Sequence, residues 1–464
     1  MARQWRFSRY LLDAGLTHVP QYYGEFLMLK KPSISIVTQF YPPDYAATGQ
    51  FIHDLASALV NEGHSVDVYT EMPGYAFREN NAPRYEEMQG VHVRRSGSAA
   101  VIPKRIRSKL LSSLTFWLRC LVKLRHNALR GKHLLLTSAP PFLGLIGWIY
   151  NILLGHQYSC IVYDVYPDVA VRLGVVKPNH WVVKIWHFVN QLIWHRATSL
   201  IVLSEPMRDL LIRSHPAIAE DMRAKIHVIP SWGNPNEIQP MPKSQNWFAR
   251  EHDLVKPFVV LYSGNLGRCH DADTLIECAE LLETQPHIKF VFIGNGVGST
   301  QIRHLKEQGK LPNVIQLPYQ DREVLPFSLT ACDLSLVSVK ENVDDVVAPS
   351  KVYGMLAAGR PIAAVCPTGN YLEQMLTDGQ CGNSFRNGDA VGLAAFILDL
   401  AQRGEAASQL GRNARRYLEQ NFTIDQVLPL YIKALHLKPR AMQRHEVIAK
   451  VADAPVNLTK PKVS

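Results

Sequence analysis

The chain is predicted to be an α/β protein of two doubly wound, Rossmann-like domains facing each other across a cleft. Three observations predict this. Its 464 residues exceed what one average core serves, so two domains are expected. From Ser33 the chain runs strand, glycine-bearing loop, helix, strand, the order that opens a doubly wound domain. Past a proline- and asparagine-rich stretch near residue 240, that order starts again.

Residues 1–32 hold no apolar run long enough for a signal peptide and are expected to be an extension or peripheral helix. ISIVTQF then fits a buried parallel strand, YPPDYAATGQ a loop with Gly49 near its end, and FIHDLASALVNEGH a helix. Phe51, Leu55, Ala58 and Leu59 share one face of that helix, and SVDVYT is the second strand. Residues 104–125 read as a helix with two unlike faces. Leu110, Leu114, Trp117, Leu121 and Leu124 form one, and Arg105, Lys109, Arg119 and Lys123 project elsewhere, with Phe116 among the polar groups. The segment PPFLGLIGWIYNILLG is too short for the roughly 20 residues of a spanning helix and reads as buried or interfacial.

SCIVYDVYPD is a strand that carries Asp164 and Asp168 to its carboxyl end, where open α/β sheets bind ligands. ATSLIVLS and KIHVIPSW complete a first domain over 33–235, and 236–256 reads as a linker without periodicity. The second domain, 257–409, holds strands in PFVVLYSGNLG, IKFVFIGNG, NVIQLPY, DLSLVSV and PIAAV. A last helix over 410–438 is assigned to the first domain, and 439–464 is polar enough to be disordered.

Composition narrows the function. Hydrophobic residues make 47% and charged residues 19%, as in ordinary globular proteins. The seven cysteines are scattered without metal-ligand spacing, which points to reduced thiols in a cytosolic protein. The net charge of +10 concentrates in 104–132, where nine lysines and arginines meet no acidic residue. Such a basic stretch suits nucleic acid, an anionic membrane or a phosphorylated substrate. Nucleic acid is disfavoured because the aromatics align with the leucines and build no stacking platform among the basic groups. A surface helix packed on the sheet is the plain alternative to a membrane-binding one.

The chemistry is expected around residues 346–365, VVAPSKVYGMLAAGRPIAAV. Pro349 sits at a helix entrance, Ser350 and Lys351 follow, and Gly359 ends the helix before the strand IAAV. A helix N-terminus beside a lysine suits phosphate, although an ordinary cap with a solvated lysine has the same pattern. Two glycine-bearing turns, SGNLG (Gly264, Asn265) and IGNGVG (Gly294), precede it in the same domain and should face the same cleft. Neither is a dinucleotide-binding fingerprint, since the glycine spacing is wrong.

The motifs FYPPDYAATGQ, EGHSVDVYT, YDVYPD, VIPSW, LYSGNLG, FIGNG, LPNVIQLPYQDRE and PSKVYGMLAAGRP occur in this order over roughly residues 33–436. Together they resemble a bacterial family 4 glycosyltransferase, and within it the fucosamine-transferase and colanic-acid-type enzymes of cell-surface polysaccharide assembly. The resemblance implies a GT-B fold whose last helix crosses back to the first domain. It implies transfer of a hexosyl or amino-hexosyl group from a nucleotide sugar with retained anomeric configuration. It also implies no cofactor and no essential metal.

Carried over residue by residue, Gly49 matches the loop glycine that lets backbone approach the donor phosphate. Gly264 and Asn265 fall where the family has Gly-Arg, and His270 where it has Lys; Arg268 and Lys351 are candidates to replace those charges. Two family glutamates map onto Val346 and Gly354, with Asp344 or Asp345 as possible substitutes. Asp164 matches a position near the reacting sugar, with a structural strand-end carboxylate as its alternative. Tyr319 is a candidate neighbour of the base, with core packing as its alternative.

The expected activity is transfer to a lipid-linked, exopolysaccharide or O-antigen glycan, such as a polyprenyl-diphosphate-linked acceptor. The protein would act in the cytoplasm, peripherally at an anionic membrane through 104–125, without nucleic acid. The alternatives are a nucleotide-sugar 2-epimerase, which needs a cleft carboxylate and histidine such as Asp164 and His270, and a degenerate transferase acting as a partner in polysaccharide assembly.

Overall fold

The computed structural model describes residues 34–44, 46–73, 82–97, 115–122, 124 and 133–438. The expected extension 1–32, the tail 439–464 and most of the basic segment 104–125 lie outside the described residues.

The first sheet contains β1 (Ile34–Val37), β2 (Val66–Glu71), β3 (Tyr85–Met88), β4 (Val91–Ser96), β5 (His133–Thr137), β6 (Gln157–Val162), β7 (Ser199–Val202) and β8 (Ile226–Val228). Their order is β3-β4-β2-β1-β5-β6-β7-β8, parallel throughout except for the antiparallel β3–β4 pair. The second sheet contains β9 (Phe258–Ser263), β10 (Ile288–Ile293), β11 (Val314–Leu317), β12 (Leu334–Ser338), β13 (Ile362–Val365) and β14 (Gly382–Phe385). Its order is β11-β10-β9-β12-β13-β14, all parallel. The central strands are apolar on both faces because helices cover both, which is why they read as continuous hydrophobic runs.

One apolar cluster includes Val165 from the first half and Val346 from the second, so the two cores meet across the cleft. The far face of the first sheet has a separate core, which the end of the chain completes. Helix Gly404–Asn421 packs on helix Lys351–Ala357 in the second half; after Phe422, Thr423 caps a new helix, Ile424–Ala434, which lies against helix Ala47–Asn61. Val427, Leu428 and Tyr431 are buried there with Ile34, Leu55 and Val68. Ser199 Oγ donates to the Ala434 carbonyl at 2.6 Å and ties the crossing to β7.

Two details depart from the sequence expectations, the start of the first helix and the inward side of residues 115–122 and 124, and the 236–256 linker gains detail. The first helix begins at Ala47, so Gly49 lies in its first turn and not in the preceding loop. Residues 236–256 are a packed connection: Asn246 caps helix Trp247–Glu251, Phe248 is buried, and the Arg415 guanidinium holds the Pro235 and Ile238 carbonyls. Over the described part of 104–125, Phe116, Cys120 and Leu124 are buried, and the outward side chains are Leu118, Arg119 and Val122. The expected lipid-facing stripe, at Leu124, Trp117 and Leu121, therefore packs inward, because the helix docks its most aromatic side on the domain core.

Candidate active site

Two glycine loops build the floor of the site by interlocking. Gly264, Gly294 and Gly296 have φ of 121°, 119° and 131°, a region that L side chains rarely adopt. A Cβ on Gly294 would lie 2.5 Å from the Gly264 carbonyl oxygen, and one on Gly296 would run into the Leu266 carbonyl. The loops exchange backbone hydrogen bonds, Leu266 N–H to Asn295 O at 2.8 Å and Gly298 N–H to Leu266 O at 3.0 Å. Only glycine permits this approach, and it holds both turns at the carboxyl ends of β9 and β10.

Lys351, the first residue of helix Lys351–Ala357, reaches over this floor. Its ammonium lies 3.5 Å from where a Gly264 Cβ would sit. It donates to Tyr262 Oη at 2.6 Å and to the Asn265 carbonyl at 3.1 Å, and it sits 4.3 Å from the Tyr262 ring centroid. Tyr262 Oη in turn donates to the Asn265 carbonyl at 3.2 Å. None of these partners is anionic. Desolvation without a counter-charge lowers the lysine pKa to about 7. Ser350, at the head of the helix, makes no side-chain cap, and Pro349 before it is buried. Tyr262, which sequence reasoning missed, is buried, and burial pushes its hydroxyl pKa upward, with nearby Tyr319 adding to the shift. Tyr319 itself is half-exposed beyond β11.

His270 is pulled down to about 3, first by desolvation and then by Lys351, so the imidazole is neutral at physiological pH. Its Nδ1–H donates to the Ser338 carbonyl at 2.7 Å. It therefore supplies no positive charge where a lysine was expected. Arg268 is exposed on the same loop.

Asp164 faces this loop from the first half. It forms an antiparallel bridge with Val347, and the adjacent Val165 N–H donates to Val346 O at 3.0 Å. Burial raises its carboxyl to about 6, and the Cys269 thiol is raised first by its own burial and then by the charge of Asp164. Gly49 lies further off in kind: a Cβ there would sit 2.9 Å from the Phe40 carbonyl carbon, so its missing side chain serves the packing of the loop before the helix.

The absent glutamates have distinct surroundings. Val346 is fully buried, and a Cβ on Gly354 would point toward Leu329 and Ile238. Asp345 is not free to replace them. Arg172, from the first half, holds both of its oxygens, one at 2.8 Å, and Arg213 approaches at 3.3 Å. Arg172 also donates to the Asn342 carbonyl at 2.8 Å. This clamp joins the halves beside Asp164. A second crossing pairs Arg322 with Glu237 through two hydrogen bonds of 2.8 and 2.9 Å, near Asp54 and His53 of the first helix. Among the described residues, no group of three His, Cys, Asp or Glu side chains could hold a metal ion.

Two domain families match the chain, the glycosyl transferase 4-like domain over residues 47–232 and the glycosyl transferases group 1 over residues 244–417. Among curated proteins, the chain is 27% identical over 305 residues to the probable glycosyltransferase WbjE of Pseudomonas aeruginosa, covering 65% of this chain and 74% of that one. It is 36% identical over 101 residues to the putative colanic acid biosynthesis glycosyl transferase WcaI of Escherichia coli K12, spanning 22% of this chain and 25% of the relative. A sucrose-phosphate synthase from Thermosynechococcus elongatus has the same fold at 18% identity, with a TM-score of 0.66 over 91% of this chain and 100% of its own. Anabaena HepE, solved in complex with UDP and glucose, follows at 14% identity and a TM-score of 0.64, over 87% of this chain and 99% of its own. At these identities the two structures establish the fold alone.

Proposed function

Because this chain is a glycosyltransferase of the GT-B fold, joining a group 4-like half to a group 1 half, we propose that it transfers a hexosyl or amino-hexosyl group from a nucleotide sugar with retention of configuration. The acceptor is a lipid-linked, exopolysaccharide or O-antigen glycan presented at the cytoplasmic face of a membrane, which the basic residues of 104–125 help the protein to reach.

The observation that carries this reading is the lone lysine over the interlocked glycine loops. A departing nucleoside diphosphate gains negative charge, and a preorganised cation with neutral partners stabilises that charge more as it grows. Lys351 has this form: its hydrogen-bond partners, Tyr262 and Asn265, are neutral and leave its charge uncompensated. Arg268 adds a second cation from the neighbouring loop, and the head of helix Lys351–Ala357 adds its peptide dipoles. Gly264, Asn265 and Gly294 border the diphosphate, neutral His270 positions the loop through Ser338, and Tyr319 flanks the base. Protein groups thus carry the charge without a metal.

In the transfer, the bond from the anomeric carbon to the diphosphate oxygen breaks. The acceptor oxygen bonds the same face of that carbon, and the acceptor proton passes to the departing diphosphate oxygen. Asp164, across the cleft, orients the sugar or acceptor as a positioning residue. UDP and glucose occupy the Anabaena structure, which makes UDP-sugars the first donors to examine.

The test is a transfer assay with UDP-, GDP-, ADP- and dTDP-sugars and a polyprenyl-diphosphate-linked sugar as acceptor. Labelled sugar should enter the organic phase with one nucleotide class only, and the new linkage should keep the donor's anomeric configuration by NMR. Conversion of the donor sugar without acceptor would overturn the reading in favour of an epimerase. Tight donor binding with neither outcome would favour a non-catalytic partner.

A further inference from the structure

The N-terminal half carries, outside the cleft, an apolar and cationic surface that no step of the transfer uses. Residues 115–122 and helices Gly144–Leu154 and Trp181–Arg196 lie side by side. Trp117 Nε1–H donates to the Phe142 carbonyl at 3.3 Å, and the Tyr150 hydroxyl donates to the Leu121 carbonyl. On the other flank the Phe142 and Trp186 rings are 4.6 Å apart, and Arg196 Nε–H donates to Asn151 Oδ1 at 2.7 Å.

Each of these elements turns large apolar side chains to solvent. Val122, Leu153, Trp181 and Phe188 are between 61% and 72% exposed, with Leu118, Ile152 and Ile185 next to them in exposure. Trp181, Ile185 and Phe188 recur at helical spacing, so they form one outward stripe and not scattered exceptions.

The charge of this region is one-sided. The three elements carry Arg119, Lys184 and Arg196 and no Asp or Glu, and the carboxylates nearest to them within residues 89–204 of the sequence are Asp164 and Asp168. Asp164 is held against Val347 in the cleft, and Asp168 lies 3.9 Å from His187. Lys177, Lys184, Arg196 and Arg119 are exposed around the apolar stripe. Asp221, at the edge, is occupied by His195 and Lys225.

We propose that this surface, centred on Trp181, Ile185 and Phe188, seats the enzyme on an anionic bilayer. The inference rests on the membrane-proximal acceptor reading and names the face that meets the lipid. Aromatic and aliphatic groups enter the headgroup–acyl boundary while lysines and arginines meet anionic headgroups, and this surface presents both without an opposing carboxylate. No described helix is long and apolar enough to cross a membrane, so the contact is interfacial. The face also leads to the reaction. Phe142 and Trp186 stand in it, Tyr166 stacks on Trp186 at 5.7 Å, and Phe142, Tyr166, Trp186 and Asp164 line one cavity. An acceptor anchored in the bilayer would thus enter the cleft from the docked side.

The test uses the full chain with vesicles of phosphatidylcholine alone and with phosphatidylglycerol added. Three proteins are compared by co-sedimentation: wild type, Trp181→Ser/Ile185→Asn/Phe188→Ser, and a variant with Arg105, Lys109, Arg119 and Lys123 reversed to Glu. Nucleotide-sugar thermal shift serves as the control for folding. Wild type should bind the anionic vesicles, and the triple variant should bind at least about tenfold more weakly while keeping its thermal shift. Depth-dependent quenching by doxyl-labelled lipid should be lost in the triple variant as Trp181 leaves. If the triple variant binds as wild type does and only the charge-reversed one fails, this surface is not the docking face, while the membrane reading stands. If wild type binds no vesicle, both membrane statements fall and the transferase reading is untouched. Loss of a wild-type dimer in the triple variant, with no change in vesicle binding, would assign the face to a second copy and overturn the inference.

Discussion

The Lys351 ammonium sits against a phenol oxygen and a carbonyl, and that neutrality gives it a pKa of about 7. A bound diphosphate favours its protonated form, so donor binding takes up a proton above pH 7. Donor affinity should therefore be highest below pH 7 and fall above it, by up to about tenfold per pH unit, measured by calorimetric titration. Lys351→Arg stays charged and should flatten the profile; Lys351→Ala should weaken binding about 10- to 100-fold at pH 6.5. Asp164 gives the opposite limb. Burial raises it to about 6, so it ionises above that pH, and kcat/KM should rise through pH 6 before Lys351 loses its proton. Asp164→Asn should remove the acid limb and leave the alkaline one. The lysine was legible in the sequence because it follows Pro349 and Ser350 at a helix entrance. Tyr262 was not, because in FVVLYS it alternates like any core residue, and only the folded β9 brings its hydroxyl under the ammonium.

At the scale of elements, the site depends on two turns that pack through backbone alone. Gly294→Ala forces a Cβ to 2.5 Å from the Gly264 carbonyl oxygen at a φ of 119°. The expected cost is at least about 2 kcal/mol in urea denaturation, with loss of donor binding beyond that of a surface glycine such as Gly309, which meets nothing within 4 Å. The buried strands of both sheets were readable as apolar runs between glycine turns. The β3–β4 hairpin and β5 were not, since YEEM is half-exposed and carries no apolar signal, and HLLLT follows the basic stretch. Helix Ala47–Asn61 shows the same limit. Its first turn lies in ATGQ, a loop-like string, and the approach of Gly49 to Phe40 is a tertiary contact that a local reading does not reveal. The described part of the amphipathic segment 104–125 follows the alternative of a helix packed on the domain. A stripe of leucines and tryptophan has the same spacing whether it faces lipid or a domain core, and Leu124 faces the core.

At the scale of the molecule, two halves with separate sheets are held together by the Arg172–Asp345 clamp at the cleft and by the crossing helix Ile424–Ala434 on the far face of the first sheet. Arg172 is the main polar tie on the Asp164 side. Arg172→Ala leaves Asp345 with Arg213 alone and should cost about 1–3 kcal/mol. Because it frees the Val346–Val347 contact with the first half, it should also raise the donor KM more than it lowers kcat. The repeat of strand–glycine loop–helix made the two-sheet architecture legible, whereas a pairing between residues 172 and 345 has no local signature. Lys351 is the cation on which the proposed donor site depends. The direct measurement is a thermal-shift titration with UDP-, GDP-, ADP- and dTDP-sugars on wild type, Lys351→Ala and Lys351→Arg at pH 6.5 and 8.5. One nucleotide class should raise the wild-type melting temperature, more at pH 6.5 than at 8.5. Lys351→Arg should keep the shift at both pH values, and Lys351→Ala should need about 10- to 100-fold more donor for the same shift at pH 6.5. An undiminished shift in Lys351→Ala would put the diphosphate elsewhere and contradict the account.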